Sequence, residues 1–225
     1  MIFDKEFAEY GYTDLVAYSG KDITDDMLNA CKIIEKKFFE AEYTESTDNL
    51  IECVKKYNQM CFVFVDKVKN AVVGYSFWFP IKTKVFNAYI ENDFTLLELR
   101  DNFFSSYKEP TINLFLASEA YVLGYDIKRL HEAVEDVFSR RILDLAYKGT
   151  KVKYIAIEAV CDYDEKFLVK LLGLTNKVKK SKSTFYYGEY TPETVYKSSK
   201  YSSGIKQYYA KLKASAESKK NTDKK

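Results

Sequence analysis

The stretch from Thr111 to Tyr147 constrains this chain most. It begins TINLFLASEAYV, an apolar run that reads as a buried strand, and continues through LGYDIKRLHE. It then becomes EAVEDVFSRRILDLAY, in which Ala133, Val134, Val137, Phe138, Ile142, Leu145 and Ala146 recur at helical spacing. A strand that runs straight into a helix sets the helix N-terminus at the end of the strand. Free backbone N–H groups and the positive end of the helix dipole meet there, and they can hold a phosphate.

Around this stretch the pattern alternates. A strand candidate runs from Asp14 to Tyr18 and ends at Ser19-Gly20. DITDDMLNACKIIEKKFF follows, with Asp22 or Thr24 as N-cap and Met27, Leu28, Cys31, Ile34 and Phe38 on one face. After the polar EAEYTEST, a second helix begins near Asp48, with Leu50, Ile51, Val54 and Tyr57 as its stripe. MCFVFVDKVKNAVVGYSFWFPI gives two β-branched and aromatic runs about a polar turn at Asp66–Asn70, an antiparallel hairpin. Residues 82–110 read as short helical pieces inserted before the central strand. KVKYIAIEAV is another buried strand, DEKFLVKLLGL a short helix ending at Gly173, and STFYYGEY a last strand.

The composition is that of a globular protein, 47% apolar and 30% charged over 225 residues. Its formal charge of +2 is too small to argue for nucleic acid, although nine lysines against three acids follow Thr191. No aromatic-basic platform is visible beside that tail, so nucleic acid is not an expected partner. In the tail, Ile205, Tyr208, Tyr209 and Leu212 form one face of a short helix, and the last residues are too polar to bury anything and are expected to be disordered. No apolar run approaches a membrane span and the N-terminus has no leader pattern, so a cytoplasmic location is expected, without membrane contact. Cys31, Cys53, Cys61 and Cys161 lack C-x-x-C pairing, so four reduced, buried thiols are expected and no metal.

With that order laid out, the chain resembles the GNAT superfamily of acetyl-CoA-dependent N-acetyltransferases over roughly Leu15 to Tyr190. The resemblance rests on the hairpin with GYSFWFPI, on Ala120-Tyr121-Val122 closing the central strand, and on Leu172-Gly173-Leu174. An insertion over Val85–Lys108 is similar to one found in some bacterial members. The resemblance implies an α/β fold: a mixed, mostly antiparallel sheet flanked by helices, with the insertion before the central strand and a C-terminal helical tail. It implies a domain over residues 1–190 and a basic tail over 191–225. It also implies acetyl transfer from acetyl-CoA to the primary amine of a small molecule or peptide. A GNAT-like binding or regulatory module without transfer is the alternative, and a second copy of the chain, docked through the tail helix, is a further partner that the sequence allows.

In that family a loop of pattern Gln/Arg-x-x-Gly-x-Gly/Ala holds the cofactor's pyrophosphate. Counted from Lys128, the first glycine position falls on His131 and only Ala133 fits; counted from Val122, Ile127 takes the basic position and Glu132 a glycine. Lys128, Arg129 and His131 could hold phosphate by direct charge contacts instead. The backbone near Tyr121 and Val122 could supply an oxyanion donor, and Glu119 is the candidate base. Strand alternation sends Glu119 and Ser118 to opposite faces without saying which. The family's asparagine and acid tyrosine fall on Asp162 and Val169, so Tyr186 or Tyr187 is the candidate acid. Acidic residues at 40, 42, 45 and 48 and at 91, 93, 98 and 101 could form a rim attractive to a cationic acceptor.

Overall fold

The computed structural model describes residues 14–39, 47–91, 103–161, 163–180, 183–193 and 200–222. Strand β1 (Leu15–Ser19) is followed by helix α1 (Asp25–Phe38), whose Thr24 side chain accepts a hydrogen bond from the Met27 N–H at 3.3 Å. Asp25 and Asp26 in the first turn and Lys36 and Lys37 in the last complement the helix dipole. Its inward face carries Leu28, Cys31 and Ile34 as the spacing predicts, and also Glu35. Helix α2 is Thr47–Lys56.

The hairpin is β2 (Cys61–Asp66) and β3 (Ala71–Ile81), antiparallel, with β1 antiparallel to β2 on the other side. Its turn is set by Asp66, whose Oδ1 accepts from the N–H groups of Val68 and Lys69 at 3.0 and 2.9 Å, and by Asn70 at φ 47°. Helix α3 (Thr83–Glu91) occupies the first part of the expected insertion; Ile81 then bridges Phe104, and residues 92–102 lie outside the described set. Central strand β4 is Thr111–Tyr121 and its helix, α4, is Ile127–Tyr147. Strand β5 (Lys151–Ala159) leads to a π-helical turn at Asp164–Leu168 and a helical turn at Val169–Leu171. Gly173, at φ 63°, ends this segment, with the Leu174 N–H donating back to the Val169 carbonyl at 3.0 Å.

Strands β6 (Asn176–Lys179) and β7 (Thr184–Glu189) complete a seven-stranded sheet in the order β1-β2-β3-β4-β5-β7-β6. The four pairings whose register is described, β1 with β2, β2 with β3, β5 with β7 and β6 with β7, are antiparallel. The fold is thus the expected α/β one, a mixed and mostly antiparallel sheet with flanking helices. The NKVK of β6 carries no apolar alternation and was not expected as a strand. It lies at the sheet edge and pairs only with β7, where backbone bonds suffice and lysines discourage further pairing.

By contacts the chain divides into two compact units. Of the described residues, the first holds those up to Phe79 and Leu116–Val137, and the second those from Pro80 to Phe115 and from Phe138 on. In the first, Phe62, Val63 and Phe64 of β2 are fully buried. Gly74 is required there because a Cβ would stand 2.8 Å from Leu130 Cδ2 and 3.2 Å from the Ala120 carbonyl oxygen. In the second, Phe185 sits among Tyr89, Phe86, Phe115 and Tyr187, at ring distances of 5.2, 6.0, 6.2 and 5.8 Å.

The tail is helix α5 (Ser202–Thr222), longer than the short helix expected and reaching into the segment whose polarity predicted disorder. Its face is anchored within the second unit: Ile205 is 1% exposed, Gly204 lies against Leu143, and the Tyr209 hydroxyl accepts from the Val152 N–H at 2.8 Å. Of the apolar face that the sequence offered for docking or for packing on its own domain, Ile205 and Tyr209 are thus used inside the chain. No described helix is long and apolar enough to cross a membrane.

Candidate functional site

The end of β4 settles the alternation. Ser118 turns toward α1: its Oγ is 2.9 Å from the Tyr75 hydroxyl and donates to Glu35 Oε1 at 3.5 Å. Glu119 turns toward α4, with Oε1 at 3.8 Å from His131 Nε2. Both are buried, Glu119 to 4% exposure, so neither is a solvent-facing strand residue. Burial lowers the His131 pKa to about 4, so the imidazole is neutral at neutral pH. Burial and the Glu35 carboxylate together push the Cys31 thiol and the Tyr75 phenol up, and both stay protonated. Glu35, Tyr75, Ser118, Glu119 and His131, contributed by α1, β3, β4 and α4, are thus enclosed in the first unit.

Beyond Glu119, the Tyr121 ring packs edge-on against Phe38 with centroids 4.8 Å apart. The Val122 N–H donates to the Val73 carbonyl at 2.9 Å. Of the backbone near Tyr121 and Val122 that was expected to supply an oxyanion donor, this amide is spent in the sheet. A tight turn follows, closed by Tyr125 N–H to the Val122 carbonyl at 3.0 Å, with Gly124 at φ 83°.

Helix α4 then begins at Ile127, so in either register the residues matched to the family's phosphate loop lie inside a helix. Asp126 caps it, its Oδ1 accepting from the Arg129 N–H at 3.1 Å. The Arg129 guanidinium is held by Asp14 at 2.6 Å. His131 and Ala133 are buried, and Lys128 remains exposed. The structure therefore does not gather Lys128, Arg129, His131 and Ala133 around one phosphate-sized space. Asp126 is the signal that could have shown this, since aspartate before a periodic run is an N-cap and starts the helix early.

A groove of about 780 Å³ does reach the expected strand end. Tyr121, Val122 and Leu123 form one wall, Met27, Ala30, Ile33 and Ile34 of α1 another, and Val65, Ala71 and Val72 the floor, with Asp26 and Lys37 also lining it. Ile33, Val122 and Leu123 stay 58%, 40% and 69% exposed, unusual for side chains of that size. Glu119 does not line it.

Tyr186 lies on β7 in the second unit, its hydroxyl donating to Glu165 at 3.3 Å; burial and the Glu165 charge raise its pKa. Asp162 and the acidic positions 40, 42, 45, 93, 98 and 101 lie outside the described residues. Among the described residues no group of three or more His, Cys, Asp or Glu could hold a metal, and the four thiols are free.

No family model and no curated protein sequence matches the chain. Solved structures do. An acetyltransferase assigned to the GNAT family, from Desulfovibrio desulfuricans, superposes with a TM-score of 0.47 at 10% identity, covering 78% of this chain and 98% of that one. Ard1 from Thermoplasma volcanium gives 0.47 at 11%, covering 78% and 97%, and Arabidopsis thaliana NAA60 in complex with acetyl-CoA gives 0.47 at 10%, covering 78% and 97%. A likeness of that degree does not say what this chain binds.

Proposed function

We propose that the chain is a divergent GNAT-family acetyltransferase that moves an acetyl group from acetyl-CoA to a primary amine. The observation that carries this reading is the groove at the C-terminal end of β4, immediately before the start of α4, in a chain whose element order is the one on which the family resemblance rests. The step from fold to activity is analogy, and binding decides it.

The residues fit the cofactor in part. The groove is lined mostly by apolar side chains and is within the usual volume of a small-molecule site, which suits the apolar part of a pantetheine arm. The start of α4 does not offer a glycine loop, so phosphate would be met by the exposed Lys128 rather than by free N–H groups of the helix. When bound, acetyl-CoA supplies an activated thioester. The chain's part is to accept the ammonium proton, for which Glu119 beside neutral His131 is the candidate, acting through a water because it does not line the groove itself. The acceptor carries an amine; an apolar body would suit the groove's walls.

Calorimetric titration with acetyl-CoA tests the reading. Micromolar binding is expected, abolished by Ala30→Trp, which fills the groove, and weakened several-fold by Lys128→Ala. Release of free thiol on adding an amine would then show transfer. A second reading, a GNAT-like binding module without transfer, is favoured by Asp126 occupying the helix start. Absence of cofactor binding at millimolar concentration selects it.

A further inference from the structure

Helix α5 uses one face to close the second unit, through Ile205 and Tyr209, and leaves the other to solvent. On that side the chain brings together residues far apart in sequence. Tyr147, at the end of α4, is 55% exposed, and its ring centroid lies 4.0 Å from that of Tyr208. Lys211 Nζ stands 4.9 Å above the Tyr208 ring; at the border of the anchored face Lys151 Nζ stands 5.4 Å from the Tyr209 ring, and Lys153, two residues further along β5, is exposed. Lys213 is exposed beside them in the chain; Lys148 is paired with Asp144 at 2.7 Å, Lys206 of α5 with Glu193 at 2.8 Å, and the exposed Glu189 stands opposite Tyr154 in the β5–β7 register.

Cations interleaved with aromatic rings are what a flexible polyanion with stackable faces requires: ammonium groups for the phosphates and rings for the bases. A lipid surface would need a broad exposed apolar face, and Ala210, Lys211, Lys213, Ala214 and Ser215 are the exposed residues of this part of α5. An acidic protein would be met by the charges and would leave the rings without a role. We propose that this surface binds single-stranded nucleic acid. The inference stands apart from the acetyltransferase reading, because it concerns different residues.

Fluorescence anisotropy with a labelled twenty-nucleotide oligouridylate, across about 50 to 200 mM salt, tests it on the full chain. Binding is expected to weaken with salt at a slope of about −0.7 per phosphate contacted. Replacing Lys151, Lys153 and Lys211 together by Gln is expected to lower affinity at least tenfold and to flatten the slope by about 2. Tyr147→Ser is expected to weaken oligouridylate several-fold while leaving heparin binding unchanged, which only stacking explains. Lys21→Gln, Lys36→Gln and Lys84→Gln together remove the same charge elsewhere and should change nothing; the exposed single variants Tyr147→Ser and Lys211→Gln stand if the triple variant loses its circular dichroism signal. Three outcomes overturn the proposal: no oligonucleotide binding at 50 mM salt, equal loss from the control substitutions, or binding of phosphatidylserine vesicles or heparin without any effect of Tyr147→Ser on oligouridylate.

Discussion

Strand β4 contributes to two interiors of opposite character. Its first half, up to Phe115, belongs to the second unit, where Tyr89, Phe115 and Phe185 stack on one another and Phe86 meets Phe185 edge-on. Its second half belongs to the first unit and brings in Ser118 and Glu119, buried with Tyr75, Glu35 and His131. Aromatic packing stabilises by area and by ring geometry. Buried polar groups cost free energy unless their partners are exact in position, and a chain retains them where position matters more than stability. The difference teaches that the aromatic interior is the scaffold, and that the polar one, next to the groove, is where chemistry is to be sought.

That contrast can be broken most directly at Phe185. Phe185→Ala should cost about 3–5 kcal/mol, read as a fall in the denaturant midpoint, because a fully buried ring leaves a cavity among others. A cost below about 1 kcal/mol would mean the aromatic cluster is not the scaffold.

Next in size is the pH response of the polar interior. His131 has a folded pKa of about 4 against 6.5 unfolded, so the unfolded chain binds the extra proton between these values. Its contribution is complete above pH 6.5 and is lost as pH falls toward 4, by up to about 3 kcal/mol. Urea titrations at pH 7 and pH 4.5 measure it, and His131→Gln should flatten that part of the profile. An unchanged slope in the variant would remove His131 from the buried cluster.

Gly74→Ala should destabilise by about 1–3 kcal/mol, since the new methyl meets Leu130 and the backbone of Ala120 at once. Thermal melting reports it, and Leu130→Ala in the same chain should recover part of the loss by making room. Smallest is Asp126→Ala, which removes the α4 cap at about 1 kcal/mol. The same change takes a carboxylate from the helix start, so affinity for acetyl-CoA should rise while stability falls. Affinity that falls with it would show the helix start to be no phosphate site at all.

Much of the fold was legible. The 3.6-residue stripe of α1, the alternation and turn chemistry of the β2–β3 hairpin, and the helix stop at Gly173 are local signals, and each appears where its residues lie. The edge strand β6 was not legible, because NKVK has no pattern of its own and pairs only because β7 presents a free edge. Of the candidate site, the sequence pointed to the end of β4, where the groove lies, and it offered Lys128, Arg129, His131 and Ala133 as one phosphate cradle. Asp126 and Asp14 divide them: one caps the helix early and the other takes the arginine.

The amino-acid sequence by itself determined which segments are helix and strand, since those depend on neighbours three or four residues away or on simple alternation. Tertiary structure alone decided which way Ser118 and Glu119 face, that Val122 gives its amide to β3, and that the Tyr147 and Tyr208 rings meet. Those facts depend on distances between residues separated by tens of positions, and no local periodicity encodes them.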